Sequence, residues 1–428
     1  MKFSRKKSSR SKSKKTGEKN LIRDRVHTGL IGRLLNWAKV PFAECNRRIV
    51  ITVIALTCFG IVMVFSAGFY SAVSVENSDP YQLLKKQTFF ALTGFGLLIA
   101  AANYDYHKYS RRGNMIAAFS LFLLLLLFTP LGVKVNGATR WLYLGMRITP
   151  SEISKVCMIL WTAVYFARYP GASRRWRNNG LLTVLIMMVI HAGLIMWQPN
   201  LSTAIVVCAI MAAIAIVAGM NLGYIGGIAG VGVLGTVAIL TFGKNTHWYS
   251  RITSFLDPFA DSQGSGYQVS QGIIALGNGG LTGLGWGNSV AKNLYLPEPQ
   301  NDFILAIIGE ELGYIRVIIL MLVYMYLIYQ CVMVGLKAKD KLGLYISTGV
   351  TVMLALHVIL NVAVVTSSMP ATGITLPFVS YGGTSLWMFM TAMGVLLNVS
   401  RGQSMTPLVR IKVMSEKEKR ERRKKRNS

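Results

Sequence analysis

From residue 49 onward the chain is written in long apolar blocks separated by short polar ones. The blocks cover about 49–70, 87–103, 114–131, 151–168, 181–197, 201–219, 223–243, 303–330, 344–366 and 382–400. About 20 apolar residues rising 1.5 Å each cross the roughly 30 Å hydrocarbon core of a bilayer. The blocks are also longer than the short periods of a soluble core. The pattern predicts an all-α polytopic membrane protein of about ten transmembrane helices. It divides the chain into a tail over 1–48, a membrane domain over 49–400 and a second tail over 401–428.

Charge then sets the orientation. The formal net charge is +29, but it is concentrated in "MKFSRKKSSRSKSKK" at the start, in "EKEKRERRKKRNS" at the end, and in "HKYSRR", "RYPGASRRWR" and "KAKDK" between apolar blocks. That distribution follows the positive-inside rule and places both termini in the cytoplasm. Merging spans at either weak joint, "MWQPNLST" or "MNLGYIGG", would put "KAKDK" outside, so the rule argues for keeping them separate. The tails read as solvated topology anchors attracted to anionic lipid, and the charge requires no nucleic acid. Cys45, Cys58, Cys157, Cys208 and Cys331 lack metal-ligand or disulfide-frame spacing and read as packing residues. The first apolar block is too long for a cleaved signal and reads as the insertion signal itself.

Two outer segments follow from this topology, 131–152 and the long loop 244–302 between spans seven and eight. A loop of that length is functional or disordered, and its glycine and aromatic content argues for order. No internal repeat is evident.

Ionisable residues inside apolar blocks are costly unless paired or facing water. Glu152 and Lys155, spaced i, i+3, share one face of span four and are expected to pair, either as a structural lock or at a substrate. Asp302 stands where the outer loop meets span eight, behind Pro297 and Pro299. It suits a general base whose acidity is tuned by desolvation and nearby cations, and it equally suits a helix N-cap. Glu310 and Glu311 lie deeper and are expected to meet a buried partner, with Lys155 or Arg316 as candidates. "GNGGLTGLGWGNS" lacks the strand and the Gly-Lys-Ser/Thr of a phosphate loop, and suits close backbone approach in a re-entrant turn. Arg251 and Lys292, with Arg140 and Arg147, are candidate ligands for an anionic headgroup or simple lipid anchors. The five histidines are scattered without metal-ligand spacing, and neither a Ser-His-Asp set nor an ATP motif is present.

"NGATRWLYLG…ITPSEISK", "QPNLST", "RITSFLDP", "GSGYQVSQGIIALGNGGLTGLGWGNS", "LPEPQNDFILAIIGEELG" and "PATGITLPFVSYGGTSLW", in this order, resemble the SEDS family of bacterial cell-wall proteins (FtsW, RodA and SpoVE). The resemblance runs from span three to span ten, and the motif versions look more like FtsW or SpoVE than RodA. Asn200 and Ser202 stand where the family usually has Asp and Gly, Gly272 replaces a common Ser, and Arg316 a common Gly. The resemblance implies a peptidoglycan glycosyltransferase polymerising lipid II in the bacterial cell membrane at the division septum. Expected partners are a class B penicillin-binding protein and other division proteins. It assigns the essential carboxylate to Asp302, cations to Arg251 and Lys292, and a buried pair to Glu152 and Lys155. Further substrate contacts are expected at Glu298, Arg140, Gln268 and Ser380. No cofactor is required, although a divalent cation can serve the leaving pyrophosphate. Two rival classes remain: a lipid flippase or transporter resting on Glu152, Lys155, Glu310 and Glu311, and a non-catalytic scaffold that docks through its tails.

Overall fold

The structure, a computed structural model, describes residues 45–73, 79–135, 138–143, 145–176, 180–221 and 266–401, with isolated positions between 223 and 259. Its helices are α1 (Arg47–Val73), α2 (Gln82–Asn103), α3 (Tyr109–Leu126), α4 (Pro150–Arg168), α5 (Leu181–Trp197), α6 (Leu201–Val217), α7 (Tyr267–Gly279), α8 (Ile304–Leu336), α9 (Lys341–Val365) and α10 (Gly383–Arg401). Five of them, α1, α2, α8, α9 and α10, are long and apolar enough to cross a membrane, and α5 and α6 are shorter apolar helices. Nine of the apolar blocks therefore fall on helices. The tenth, 223–243, lies almost wholly outside the described residues, as do the two tails.

Successive spans alternate in direction, so one end of the bundle carries the starts of α2, α4, α6, α8 and α10 and the other the start of α1 and the end of α8. Buried α4 sits centrally, packing on α3, α6, α9 and α10. Around it α2 packs on α10, α1 on α2 and α8, and α8 on α9. A buried chain of hydroxyls and imidazole, His191 Nε2 to Ser120 Oγ at 3.2 Å and Ser120 to Ser154 at 3.0 Å, ties α5, α3 and α4 together.

The structure corrects the all-helical expectation in the outer segments. Residues 131–148 hold an antiparallel sheet in the order β1 (Gly132–Val135), β2 (Ala138–Tyr143), β3 (Arg147–Ile148), with Gly132 opposite Leu142 and Leu142 opposite Ile148. Valine, threonine and aromatic residues on either side of an Asn-Gly pair favour this hairpin. The long loop contains a helix of its own, α7, which packs on α8. At the "MWQPNLST" joint α5 and α6 do turn sharply: Asn200 is the N-cap of α6, its side chain accepting from Thr203 N at 3.3 Å. Asparagine caps a helix as well as aspartate does, so that departure from the family's usual residue keeps the turn intact.

α8 is not one continuous helix. Gly313 has φ 81° and ψ 169°, which breaks it nine residues in. In an unbroken helix Tyr314 N and Ile315 N would donate to the carbonyls of Glu310 and Glu311. Instead those carbonyls accept from Leu284 N and Gly285 N, both at 3.0 Å, while Tyr314 N donates to Gly280 O at 2.9 Å and Ile315 N to Leu281 O at 3.2 Å. The glycine-rich loop thus inserts into the break and pairs with these four groups, and irregular backbone at this depth is tolerated only with such partners. A Cβ on Gly283 would stand 2.3 Å from Glu311 O, and one on Gly279 2.1 Å from Gly309 O. Close backbone approach is indeed what these glycines serve.

Candidate functional site

Asp302 sits at the end of the bundle that carries the sheet, in the turn entering α8. The N-cap position of that helix is Phe303, with no side-chain cap, so the helix-cap alternative for Asp302 does not hold. Its backbone is fixed from α9: Asn361 Nδ2 donates to Asp302 O at 2.7 Å and to Ile374 O at 2.8 Å. Just before it, Glu298 has φ 48°, and its Oε2 accepts from Gln300 Nε2 at 2.8 Å and Asn301 Nδ2 at 3.1 Å. Gln300 O in turn accepts from Tyr381 N at 2.9 Å. Glu298, expected as an orienting or binding group, orients the two residues that lead into Asp302. Gly373, with φ 70°, faces the carboxylate, a Cβ there standing 3.9 Å from Asp302 Oδ2.

Several polar side-chain atoms near Asp302 have no protein partner. Gln300 Oε1, Asn301 Oδ1, Asn361 Oδ1 and Thr372 Oγ1 are buried without a hydrogen-bond partner. Buried polar groups are normally satisfied, and exceptions call for an explanation such as a bound ligand or water. Arg147 and Glu298 both act electrostatically on Tyr381, whose hydroxyl is pushed up by burial and then by Glu298, with Arg147 opposing. It stays protonated at neutral pH and is a hydrogen-bond donor. Arg147 therefore belongs to this end of the site.

The expected ion pair on α4 is present. Lys155 Nζ lies 2.7 Å from Glu152 Oε1 and 2.7 Å from His357 Nε2, with Lys155 buried. His357 Nδ1 is 2.8 Å from Met353 O, which only accepts, so Nδ1 carries hydrogen and Nε2 receives from the ammonium. His357 and Asn361 are four residues apart on α9, so the pair lies about one helical turn from the Asp302 anchor. Both residues are polar positions inside an apolar block, a costly placement that was the available sequence signal for them.

Other expectations are relocated. Lys292 is buried, and its ammonium donates to Glu311 Oε1 at 2.7 Å, Gly287 O at 2.6 Å and Ser66 Oγ at 3.2 Å. With three donors spent inside the protein it is not placed as a free cation for a headgroup. It is the partner of Glu311, in place of Lys155 or Arg316. Arg316 instead donates to Thr282 O at 2.6 Å and Leu312 O at 2.7 Å, bracing the break in α8. Glu310 accepts from Ser289 Oγ, from Ala291 N at 3.1 Å and from Asn278 Nδ2 at 3.4 Å. Arg140 donates to the carbonyls of Gln198 and Pro199, fastening β2 to the α5–α6 turn. Ser380 is buried and its Oγ accepts from Leu376 N at 2.8 Å, closing a turn. Gln268 Nε2 donates to Pro297 O at 3.3 Å, holding α7 to the loop before Asp302. Arg251 lies outside the described residues. Among the described residues no three His, Cys, Asp or Glu side chains converge in a way that could hold a metal ion.

The sequence profile of the FtsW/RodA/SpoVE family, described as cell cycle protein, matches residues 46–405. The chain belongs to the FtsW/RodA/SpoVE family. It is 36% identical over 380 residues to the probable peptidoglycan glycosyltransferase FtsW of Trichlorobacter lovleyi, covering 88% of this chain and 98% of that one. It is also 36% identical over 355 residues to the stage V sporulation protein E of Bacillus subtilis, covering 82% and 96%. Among solved structures, one chain of a peptidoglycan synthase complex that coordinates polymerization and crosslinking shares the fold with a TM-score of 0.69. It is 24% identical, and the match covers 85% of this chain and 100% of that one. The rod shape determining protein RodA of Thermus thermophilus aligns with a TM-score of 0.62 at 23% identity, over 85% and 99%. Family membership and the five long apolar helices together make this a multi-pass membrane protein.

Proposed function

We propose that this chain is a peptidoglycan glycosyltransferase that polymerises lipid II at the outer face of the bacterial cell membrane during septal wall synthesis. The observation that carries the reading is the seating of Asp302, its backbone held by Asn361 and the Glu298 turn amid buried polar atoms that lack partners. The relatives' names supply the reaction class.

In this reading Asp302 takes the proton of the acceptor sugar's 4-hydroxyl as that oxygen bonds to the anomeric carbon of the lipid-linked donor. The bond from that carbon to the pyrophosphate oxygen breaks, giving inversion and releasing undecaprenyl pyrophosphate. No nucleotide is needed, because the leaving group is already activated. In the same reading Arg147 and the Tyr381 hydroxyl donate to the anionic end of the substrate. Glu152, Lys155 and His357 form the floor beneath. A class B penicillin-binding protein is the expected partner, as the structural likeness to a chain of a complex that polymerises and crosslinks supports.

A transport reading would draw on Glu152, Lys155, Glu310 and Glu311, and the last two are committed to holding the inserted loop. The deciding assay uses the purified chain, lipid II and the transpeptidase partner. Wild type is expected to form glycan polymer, and Asp302→Asn to fold, bind lipid II and form none. Undiminished polymerisation by Asp302→Asn would remove the general-base assignment. Movement of lipid II across vesicles by a wild type that makes no polymer would favour transport.

A further inference from the structure

At the end of the bundle opposite Asp302, where α1 begins and α8 ends, the structure holds a cavity of about 350 Å³, lined by Asn46, Arg48, Tyr329, Gln330, Met333 and Lys337 among others. That volume falls within the roughly 300–1,000 Å³ range of ligand pockets. Asn46 frames it, donating through its backbone N to Ser400 Oγ at 3.1 Å and through Nδ2 to Gln330 Oε1 at 3.3 Å.

Three features of this cavity favour an anion. The Arg48 guanidinium and the Lys337 ammonium are exposed and make no hydrogen bond or ion pair among the described residues. Gln330 is only 5% exposed, and its amide nitrogen has no partner among the described residues while the residue lines the cavity. Among the described residues no carboxylate lines it.

The flank of the cavity is apolar and exposed: Ile51 is 62% exposed on α1, and Tyr326 and Tyr329 are 43% and 55% exposed on α8. In a multi-pass membrane protein such a face meets acyl chains. Tyrosines there suit the headgroup level. A polar, cationic cavity opening beside a lipid-facing surface is the arrangement that recognises a phospholipid headgroup, and the positive-inside pattern assigns this end to the anionic cytoplasmic leaflet.

We propose that this cavity is a binding site for the phosphate headgroup of an anionic phospholipid, with Arg48, Lys337 and the Gln330 amide as its donors. The proposal is independent of the reaction at the other end of the bundle.

The test is native mass spectrometry of the full chain in detergent, titrated separately with phosphatidylglycerol, phosphatidylcholine and inorganic phosphate. Wild type is expected to retain one phosphatidylglycerol in strong preference to phosphatidylcholine. Arg48→Gln/Lys337→Gln is expected to weaken that retention about tenfold or more, with each single variant intermediate. Because other basic clusters can also attract anionic lipid, Lys108→Gln/Arg111→Gln serves as a charge-matched control and is expected to bind as wild type does. Unchanged retention in the cavity variant, or equal loss in the control, would overturn the site. Retention of inorganic phosphate with no selectivity among the lipids would overturn the lipid assignment. Matching melting temperatures for all variants are required, and since the four side chains are exposed they are expected.

Discussion

His357 and Asn361 stand four residues apart on α9, and each holds a different part of the candidate site: His357 Nε2 lies 2.7 Å from Lys155 Nζ, and Asn361 Nδ2 2.7 Å from Asp302 O. One helix face thus sets the α4 ion pair and the α8 carboxylate in a fixed relation. Movement of α9 would be felt at both. That coupling gives two residues outside the family motifs a direct bearing on Asp302.

Asn361→Leu is expected to reduce lipid II polymerisation by one to two orders of magnitude, since displacement of a catalytic group by about 1 Å can cost about 100-fold. Stability is expected to fall by about 1–3 kcal/mol, because the carbonyls of Asp302 and Ile374 lose a buried donor. A polymerisation assay beside a melting curve checks this. Full activity in a correctly folded variant would show that Asp302 is positioned without Asn361.

Lys292 and Glu311 are both buried with their charged atoms 2.7 Å apart. Removing one partner strands a buried charge, so Lys292→Met and Glu311→Gln are each expected to cost about 3–5 kcal/mol. The double variant Lys292→Met/Glu311→Gln is expected to cost less than the sum of the singles. Denaturation of the four proteins in detergent gives the coupling directly. Additive losses would mean that the two residues act separately.

The glycine-rich loop makes a sharper demand. Gly313 has a positive φ, and a Cβ on it would stand 2.3 Å from Gly283 N. Gly313→Ala and Gly283→Ala are each expected to cost several kcal/mol and to abolish accumulation of folded protein. Gly277→Ala, where a Cβ meets nothing within 4 Å, is expected to be tolerated. Expression and size-exclusion profiles of the three variants distinguish these outcomes.

The span pattern was legible because a bilayer imposes a length on apolar segments, and the alternation of basic and apolar segments needs no knowledge of contacts. The glycine loop was legible for the same kind of reason: without a preceding strand or a Gly-Lys-Ser/Thr, close approach was what remained. The break at Gly313 was not, since Gly313 looks like any glycine until the inserted backbone is seen. Partners of buried charges were also beyond reach. Lys292 and Glu311 are 19 residues apart, and only the insertion of residues 280–285 into α8 folds one onto the other. Helix α7 was hidden because its 13 residues carry too few apolar positions to read as a span.

The opposite end of the bundle offers a pH test. Tyr106, between α2 and α3, donates through its hydroxyl to Asp340 Oδ1 at 2.8 Å, and its backbone N donates to Asn398 Oδ1 at 3.0 Å. Burial pushes the Tyr106 hydroxyl well up from 10.0, and the hydrogen bond and charge of Asp340 push it further, with a smaller contribution from Asp105. A folded-state value above the unfolded one means that the protonated form is the one folding favours. Its contribution is therefore complete below about pH 10 and is lost as pH rises from there through the folded value. Wild type is expected to exceed Tyr106→Phe by about 1 kcal/mol at pH 7–9, and the gap is expected to narrow above pH 10. Melting temperatures of the two proteins measured in parallel from pH 7 to 11 follow that gap, and a gap that widens with pH would reverse the assigned direction.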